Sequence, residues 1–91
     1  MDKLQAMQVF THVVDANSFS GAADALHMTR SSVSTIIQNL EAMLKVRLLN
    51  RTTRRISLTP DGAAYYERCT RILAEIEEAE NVYADVARAP R

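Results

Sequence analysis

Thr29–Lys45 reads TRSSVSTIIQNLEAMLK, and the spacing predicts one amphipathic helix over this stretch. The Thr29 hydroxyl suits an N-cap, where it can accept from a free backbone N–H of the first turn. Val33, Ile36, Ile37, Leu40, Met43 and Leu44 recur at helical spacing on one face. The opposite face carries Ser31, Ser34, Thr35, Gln38 and Asn39, which are polar, mostly short and uncharged. A merely solvated face is richer in Lys and Glu, which favour helix and solubility. Hydroxyls and amides let a helix approach another surface closely, and base edges in a DNA major groove suit such a helix. An ordinary surface helix is the alternative reading of this stretch alone.

Upstream, Ser18 caps a short second helix, FSGAADALH, with Phe19, Ala22, Ala23 and Leu26 facing inward. His27-Met28 is a tight turn, so the two helices form a helix-turn-helix. An αα-hairpin in a small bundle is the competing arrangement. A first helix runs from Asp2 to about Ala16, with Asp2 and Gln5 as a capping box. Leu4, Met7, Phe10, Val13 and Val14 form its buried stripe, and Asn17 is its left-handed stop. His12 lies beside the stripe without a second ligand at metal spacing, so it reads as a surface or half-buried histidine.

Downstream, Val46–Asn50 and Ile56–Leu58 are short apolar runs flanking a basic tip, the form of a small β-hairpin. The tip is Arg51, Thr52, Thr53, Arg54 and Arg55. Three arginines and two hydroxyls beside a recognition-type helix point to phosphate or minor-groove contact; a solvated charge cluster is the alternative. Thr59-Pro60-Asp61 then starts a helix that nothing stops before Ala89-Pro90. At 1.5 Å per residue it reaches on the order of 40 Å. Tyr65, Cys69, Ile72, Ile76, Ala79, Tyr83 and Val86 follow an unbroken coiled-coil-like spacing, widened by Tyr66, Leu73 and Val82. Tyr65, Tyr66, Cys69, Ile72 and Leu73 are expected to cover the body, leaving the later seam for another chain. A bent helix packed within one chain is the alternative.

Ninety-one residues make one domain, or one with an appendage. Acids and bases balance at eleven each, so distribution carries the information. Arg30–Arg55 holds six bases and one acid, Glu41, whereas Asp61–Asp85 holds seven acids and two bases. That pattern implies one surface for an anion and another for a different partner. The single Cys69, at an apolar helical position, reads as a buried structural thiol in a reducing compartment. No apolar run reaches the length of a membrane span and the N-terminus lacks a signal-peptide pattern, so a soluble, cytoplasmic protein is expected.

In order and spacing, SFSGAADAL, SSVSTIIQNLE, VRLLNRTTRRISLT and TPDGAAYYERC resemble the N-terminal domain of LysR-type transcriptional regulators, and the resemblance covers essentially the whole chain. It implies a mainly α fold: a winged helix-turn-helix, with a three-helix core and a short two-stranded β wing, followed by a long dimerisation helix. The expected division is 1–58 for the DNA-binding domain and 59–91 for the linker helix. The resemblance further implies a bacterial homodimer on pseudo-palindromic double-stranded operator DNA. The effector domain that usually follows is expected to be absent here, the chain being an isolated DNA-binding domain cut from a longer protein, and any small-molecule inducer would belong to that missing part. Ser34 matches the family's helix-3 serine, and Arg51 and Arg54 its basic wing residues. Arg30 stands where Gln is common, Ser31 where Pro or Ser is found, Thr35 where Arg is common, and Lys45 where a Gly usually ends helix 3.

The leading function is thus sequence-specific DNA binding, with Arg30, Ser31, Ser34, Thr35 and Gln38 toward bases and nearby phosphates. Arg51, Thr52, Arg54 and Arg55 of a wing spanning 47–58 would hold the backbone or minor groove. Ile72, Ile76, Ala79, Tyr83 and Val86 would pair two copies. A helical protein-interaction module is the rival, distinguished by salt dependence. An enzyme fits poorly: no Gly-rich phosphate loop or metal-ligand cluster is legible, and no cofactor, metal or membrane partner is expected.

Overall fold

A computed structural model describes residues 2–51 and 56–88, with the side chains of the last helix described as far as 84. The order is α1 (Lys3–Ala16), α2 (Phe19–Leu26), α3 (Arg30–Leu44), β1 (Leu49–Arg51), β2 (Ile56–Leu58) and α4 (Pro60–Arg88). Each helix start has a chemical cause. Asp2 accepts from the Gln5 amide, Ser18 from Gly21 and Thr29 from Ser32, at 2.8–3.1 Å. Thr59 does the same for Gly62 at 2.9 Å, with Pro60 at the first helical position.

The first three helices stop on Asn17, His27 and Lys45, each in the left-handed region with φ of 53°, 56° and 60°. A chain with only two glycines thus ends its helices on residues that carry a Cβ. His27 is this stop and lies outside α2, one residue short of the expected FSGAADALH.

α1, α2 and α3 pack on one another, and α4 packs against α1. Ala6, Val9, Phe10, Val13, Ala22, Ala23, Val33, Ile37, Leu40, Leu48, Leu49 and Cys69 form one buried cluster. Phe10 is its centre, with the Tyr65 and Tyr66 rings 5.6 and 6.5 Å away in tilted and edge-on arrangements. The Tyr66 hydroxyl donates to Asp15, tying α4 to the end of α1 and raising the Tyr66 pKa above its ordinary value. Burial pushes the Tyr65 phenol up to about 12 and raises the Cys69 thiol as well. Cys69 is accordingly a buried, protonated packing group.

Two packing expectations, for Leu4 and Met43, are corrected, and one buried position not assigned from sequence is added. Leu4 lies in the open first turn of α1 and is 37% exposed. Thr11 takes a buried place, its hydroxyl donating to the Gln8 carbonyl one turn back. Met43 is exposed, at the edge of an apolar face that buries Val33, Ile37 and Leu40 and packs Ile36 and Leu44 against the core.

The hairpin is shorter than the apolar runs imply. β1 pairs antiparallel with β2 in the register Leu49↔Leu58, Asn50↔Ser57, Arg51↔Ile56. Val46–Leu48 stay outside the ladder: the Val46 amide donates to the Glu41 carbonyl and the Leu48 amide to the Glu41 carboxylate. This segment is also bonded to the start of α4. Thr59 Oγ1 donates to the Arg47 carbonyl at 2.6 Å, and the Thr59 amide to the Leu48 carbonyl at 3.0 Å.

Gly62 lies against the same carbonyl: a Cβ built there would stand 1.9 Å from Leu48 O. No side chain fits unless the helix or the strap Arg47–Leu49 moves. Gly62→Ala is expected to lower stability by about 1–3 kcal/mol, overpacking outweighing the better helix propensity of alanine. The urea unfolding midpoint measures this; an unchanged midpoint would mean that α4 starts clear of Leu48.

Candidate nucleic-acid interface

The outer face of α3 presents Arg30, Ser31, Thr35, Gln38 and Asn39 to solvent. Ser34 sits at its edge and is half-buried. Ser32 completes the cap with Thr29, whose hydroxyl donates to Ser32 Oγ at 2.8 Å while accepting from the Ser32 amide at 3.0 Å. The cap fixes the first turn, so Arg30 occupies the first helical position, at the positive end of the helix dipole. The face offers donors and acceptors on short side chains, framed by a long cation at one end.

At the other end, Lys45 closes α3 with its amide donating to the Glu41 carbonyl. Although a lysine stands where the family usually has glycine, the backbone takes the left-handed geometry that glycine favours. A Cβ in this region costs roughly 1–2 kcal/mol, of which glycine's greater freedom when unfolded returns a part. Lys45→Gly is therefore expected to stabilise the fold by about 0.5–1 kcal/mol, read from thermal or urea unfolding. A lower midpoint would show that the lysine stem makes contacts worth more than the strain.

Arg51 lies in β1 opposite Ile56, not at the hairpin tip where the sequence reading puts it. Its Nη2 stands 3.5 Å from Glu41 Oε1, and its guanidinium carbon 5.0 Å from the centre of the Phe19 ring. The same Glu41 carboxylate accepts from the Leu48 and Leu49 amides at 2.8 and 3.2 Å. Arg51 thus joins α2, α3 and the wing, with a third of its side chain still exposed. Sequence reasoning missed Glu41 as a working residue. The available signal was its isolation, as the one acid among six bases. Thr52, Arg54 and Arg55 lie outside the described residues.

Along α4 the seam divides. Tyr65 and Cys69 belong to the body. Ile72, expected to cover the body as well, is 45% exposed. Ile76 is half-buried beside α1, where Gln8, Thr11, His12, Leu73 and Glu77 line an open concavity of about 300 Å³ with it. Ala79, Val82 and Tyr83 are exposed, Tyr83 by 76%. The side chain of Val86 lies outside those described. Among the described residues no group of three His, Cys, Asp or Glu is placed to hold a metal ion, and no helix is long and apolar enough to cross a membrane.

A helix-turn-helix whose second helix bares a polar face, with a two-stranded wing beside it, is a winged helix-turn-helix. The sequence model described as "Bacterial regulatory helix-turn-helix protein, lysR family" matches residues 4–63, and the chain belongs to that family. An HTH-type transcriptional repressor of Pseudomonas aeruginosa is 55% identical over 80 residues, covering 88% of this chain and 25% of the relative. Among solved structures, the BenM DNA-binding domain in complex with catB site 1 DNA superposes with a TM-score of 0.89 at 31% identity, covering all of both chains. The LysR-type regulator CrgA of Neisseria meningitidis superposes with a TM-score of 0.78 at 47% identity, covering 96% of this chain and 30% of the other. The chain spans about a quarter of the length of the curated relatives it matches.

Proposed function

We propose that this chain binds double-stranded DNA sequence-specifically as a homodimer, and that it is the DNA-reading part of a bacterial transcriptional regulator acting in the cytoplasm. The observation that carries this is the exposed, uncharged polar face of α3, headed by Arg30 and flanked by the wing, on a fold shared with a solved DNA-bound domain. Arg30, Ser31, Ser34, Thr35 and Gln38 would meet bases and nearby phosphates in the major groove. Arg51, with Thr52, Arg54 and Arg55, would meet the flanking backbone or minor groove. The working division is 1–58 as the reader and 59–91 as the pairing helix, although Tyr65 and Cys69 also complete the reader's core. This reading makes the chain a binding protein without catalytic chemistry of its own. Any small-molecule inducer would act through further parts of a longer regulator.

Selection of bound duplexes from a random pool, followed by titration at several salt concentrations, tests the reading. Binding must weaken steeply with salt as displaced counterions compete. Salt-insensitive binding, or no enriched sequence, would reject specific DNA recognition. Within this reading, Arg30→Ala is expected to cost roughly 1–3 kcal/mol and relax preference at one base position per half-site if Arg30 reads a guanine edge. Unchanged preference with a smaller salt slope would assign it to phosphate, and unchanged affinity would remove it from the interface.

The pairing surface we assign is the α4 stripe of Ile72, Ile76, Ala79, Tyr83 and Val86, with Ile72 and Tyr83 already open to solvent in the single chain. Ile72 is the cleaner position to challenge, because Ile76 also lies beside α1. Ile72→Glu puts a charge into the apolar contact twice per dimer. The expected product is a folded, largely monomeric chain that keeps its half-site affinity. It would lose most of its affinity for the full site, because two linked readers raise each other's effective concentration. Sedimentation with titration of both duplexes decides it; a variant that stays dimeric excludes this stripe.

A further inference from the structure

We infer that Glu41 is a positioning residue for DNA binding: its carboxylate holds the wing root and aims Arg51, so removing this negative charge weakens the grip on a polyanion. The inference rests on the DNA-binding reading above and adds to it a residue of the wrong sign for phosphate contact.

The geometry is that of a clamp. Glu41 opens the last turn of α3, three residues after Gln38 on the outer face. Its Oε2 accepts from the Leu48 and Leu49 amides, and Oε1 faces Arg51 Nη2. Leu48 and Leu49 are fully buried side chains, so apolar packing fixes one side of the strap and the carboxylate fixes the amides on the other. The wing root is thereby referred to the recognition helix and cannot swing independently of it. Arg51 is held by Glu41 and by the Phe19 ring, so its direction is set before any ligand arrives. A guanidinium carries five N–H donors in a rigid fork. The Glu41 contact uses one of them, and with about a third of the side chain exposed, others can reach a phosphate oxygen.

A carboxylate that merely sat in the basic stretch would repel phosphate, and its neutralisation would tighten binding and steepen the salt dependence. The clamp requires the opposite. Glu41→Gln keeps the shape but replaces one acceptor oxygen with an NH2, which must face either a backbone amide or the guanidinium. Either the wing-root bonds or the Arg51 contact is lost, and in both cases the negative charge that holds the guanidinium is gone.

The test compares the wild-type chain, Glu41→Gln, Arg51→Ala and the double variant. Each is titrated at several salt concentrations with a duplex recovered from the random pool and with a duplex of scrambled sequence. Circular dichroism and urea titration at the assay temperature give the folded fraction. The expected result is a roughly tenfold loss of affinity in folded Glu41→Gln, with a salt slope smaller by about one although the net positive charge has risen. Arg51→Ala should show the same fall in slope, and the loss in the double variant should be smaller than the sum of the two single losses. Affinity equal to or above wild type in Glu41→Gln would overturn the inference, leaving Glu41 a simple repulsive charge. So would losses that add independently in the double variant, or a loss that only follows the folded fraction with the slope unchanged. Should Glu41→Gln not fold, Arg51→Ala decides alone: an unaltered slope overturns the aimed-arginine role. Salt-independent or absent binding by the wild-type chain would reject the DNA reading itself, and this inference with it.

Discussion

The strap Arg47–Leu49 is the constraint on which the rest of the structure turns. From α3 it is held by the Glu41 carboxylate on its amide side. From α4 it is held on its carbonyl side by Thr59, whose hydroxyl and amide reach Arg47 and Leu48. The Leu48 and Leu49 side chains fill the core beneath. Two amides and two carbonyls of this segment are thus satisfied by residues of α3 and of the α4 cap, and a part-buried group that lost its partner would cost on the order of 1 kcal/mol. Recognition helix, wing and long helix are registered to one another here, because each is bonded to the same short segment.

The aromatic centre provides the second registration. Phe10 projects from α1 between the helix-turn-helix and α4, where Tyr65 and Tyr66 close over it. In a body this small, one such ring and its neighbours make up much of the apolar burial that opposes chain entropy. The Tyr66–Asp15 bond orients α4 across α1. The face proposed for DNA therefore rests on a scaffold whose buried cluster, among the described residues, lies behind it.

Most of the fold was legible because its signals are local. Asp2, Ser18, Thr29 and Thr59 cap helices through hydroxyls or carboxylates acting within three residues, and Asn17 stops α1 as its chemistry suggests. The outer face of α3 followed from helical periodicity. What stayed hidden depends on partners distant in sequence. The segment before β1 is bonded to Glu41 and not to β2, and nothing in Val46–Leu48 announces that. Glu41 acts on residues seven and eight positions ahead, beyond the reach of any helix-spacing rule. Arg51 reads as a tip residue until the register sets it opposite Ile56 and beside Phe19. The division of the α4 seam depends on which side of the helix faces α1, and an unbroken apolar repeat does not encode that.

The uneven support of α4 has a consequence for how order and assembly are related. Up to Cys69 the helix lies in the core, whereas Ala79, Val82 and Tyr83 meet solvent. An unsupported helical segment of fewer than about a dozen residues is marginal in water, because nucleation is costly and each added residue contributes little. The later turns of α4 thus draw their helicity from propagation off the anchored half and from whatever covers their apolar stripe. Far from the body, hydrogen-exchange protection would grade downward residue by residue instead of ending at a sharp boundary. On the pairing proposed above, secondary structure in this half would vary with protein concentration, so that association and helix formation become two readings of one equilibrium.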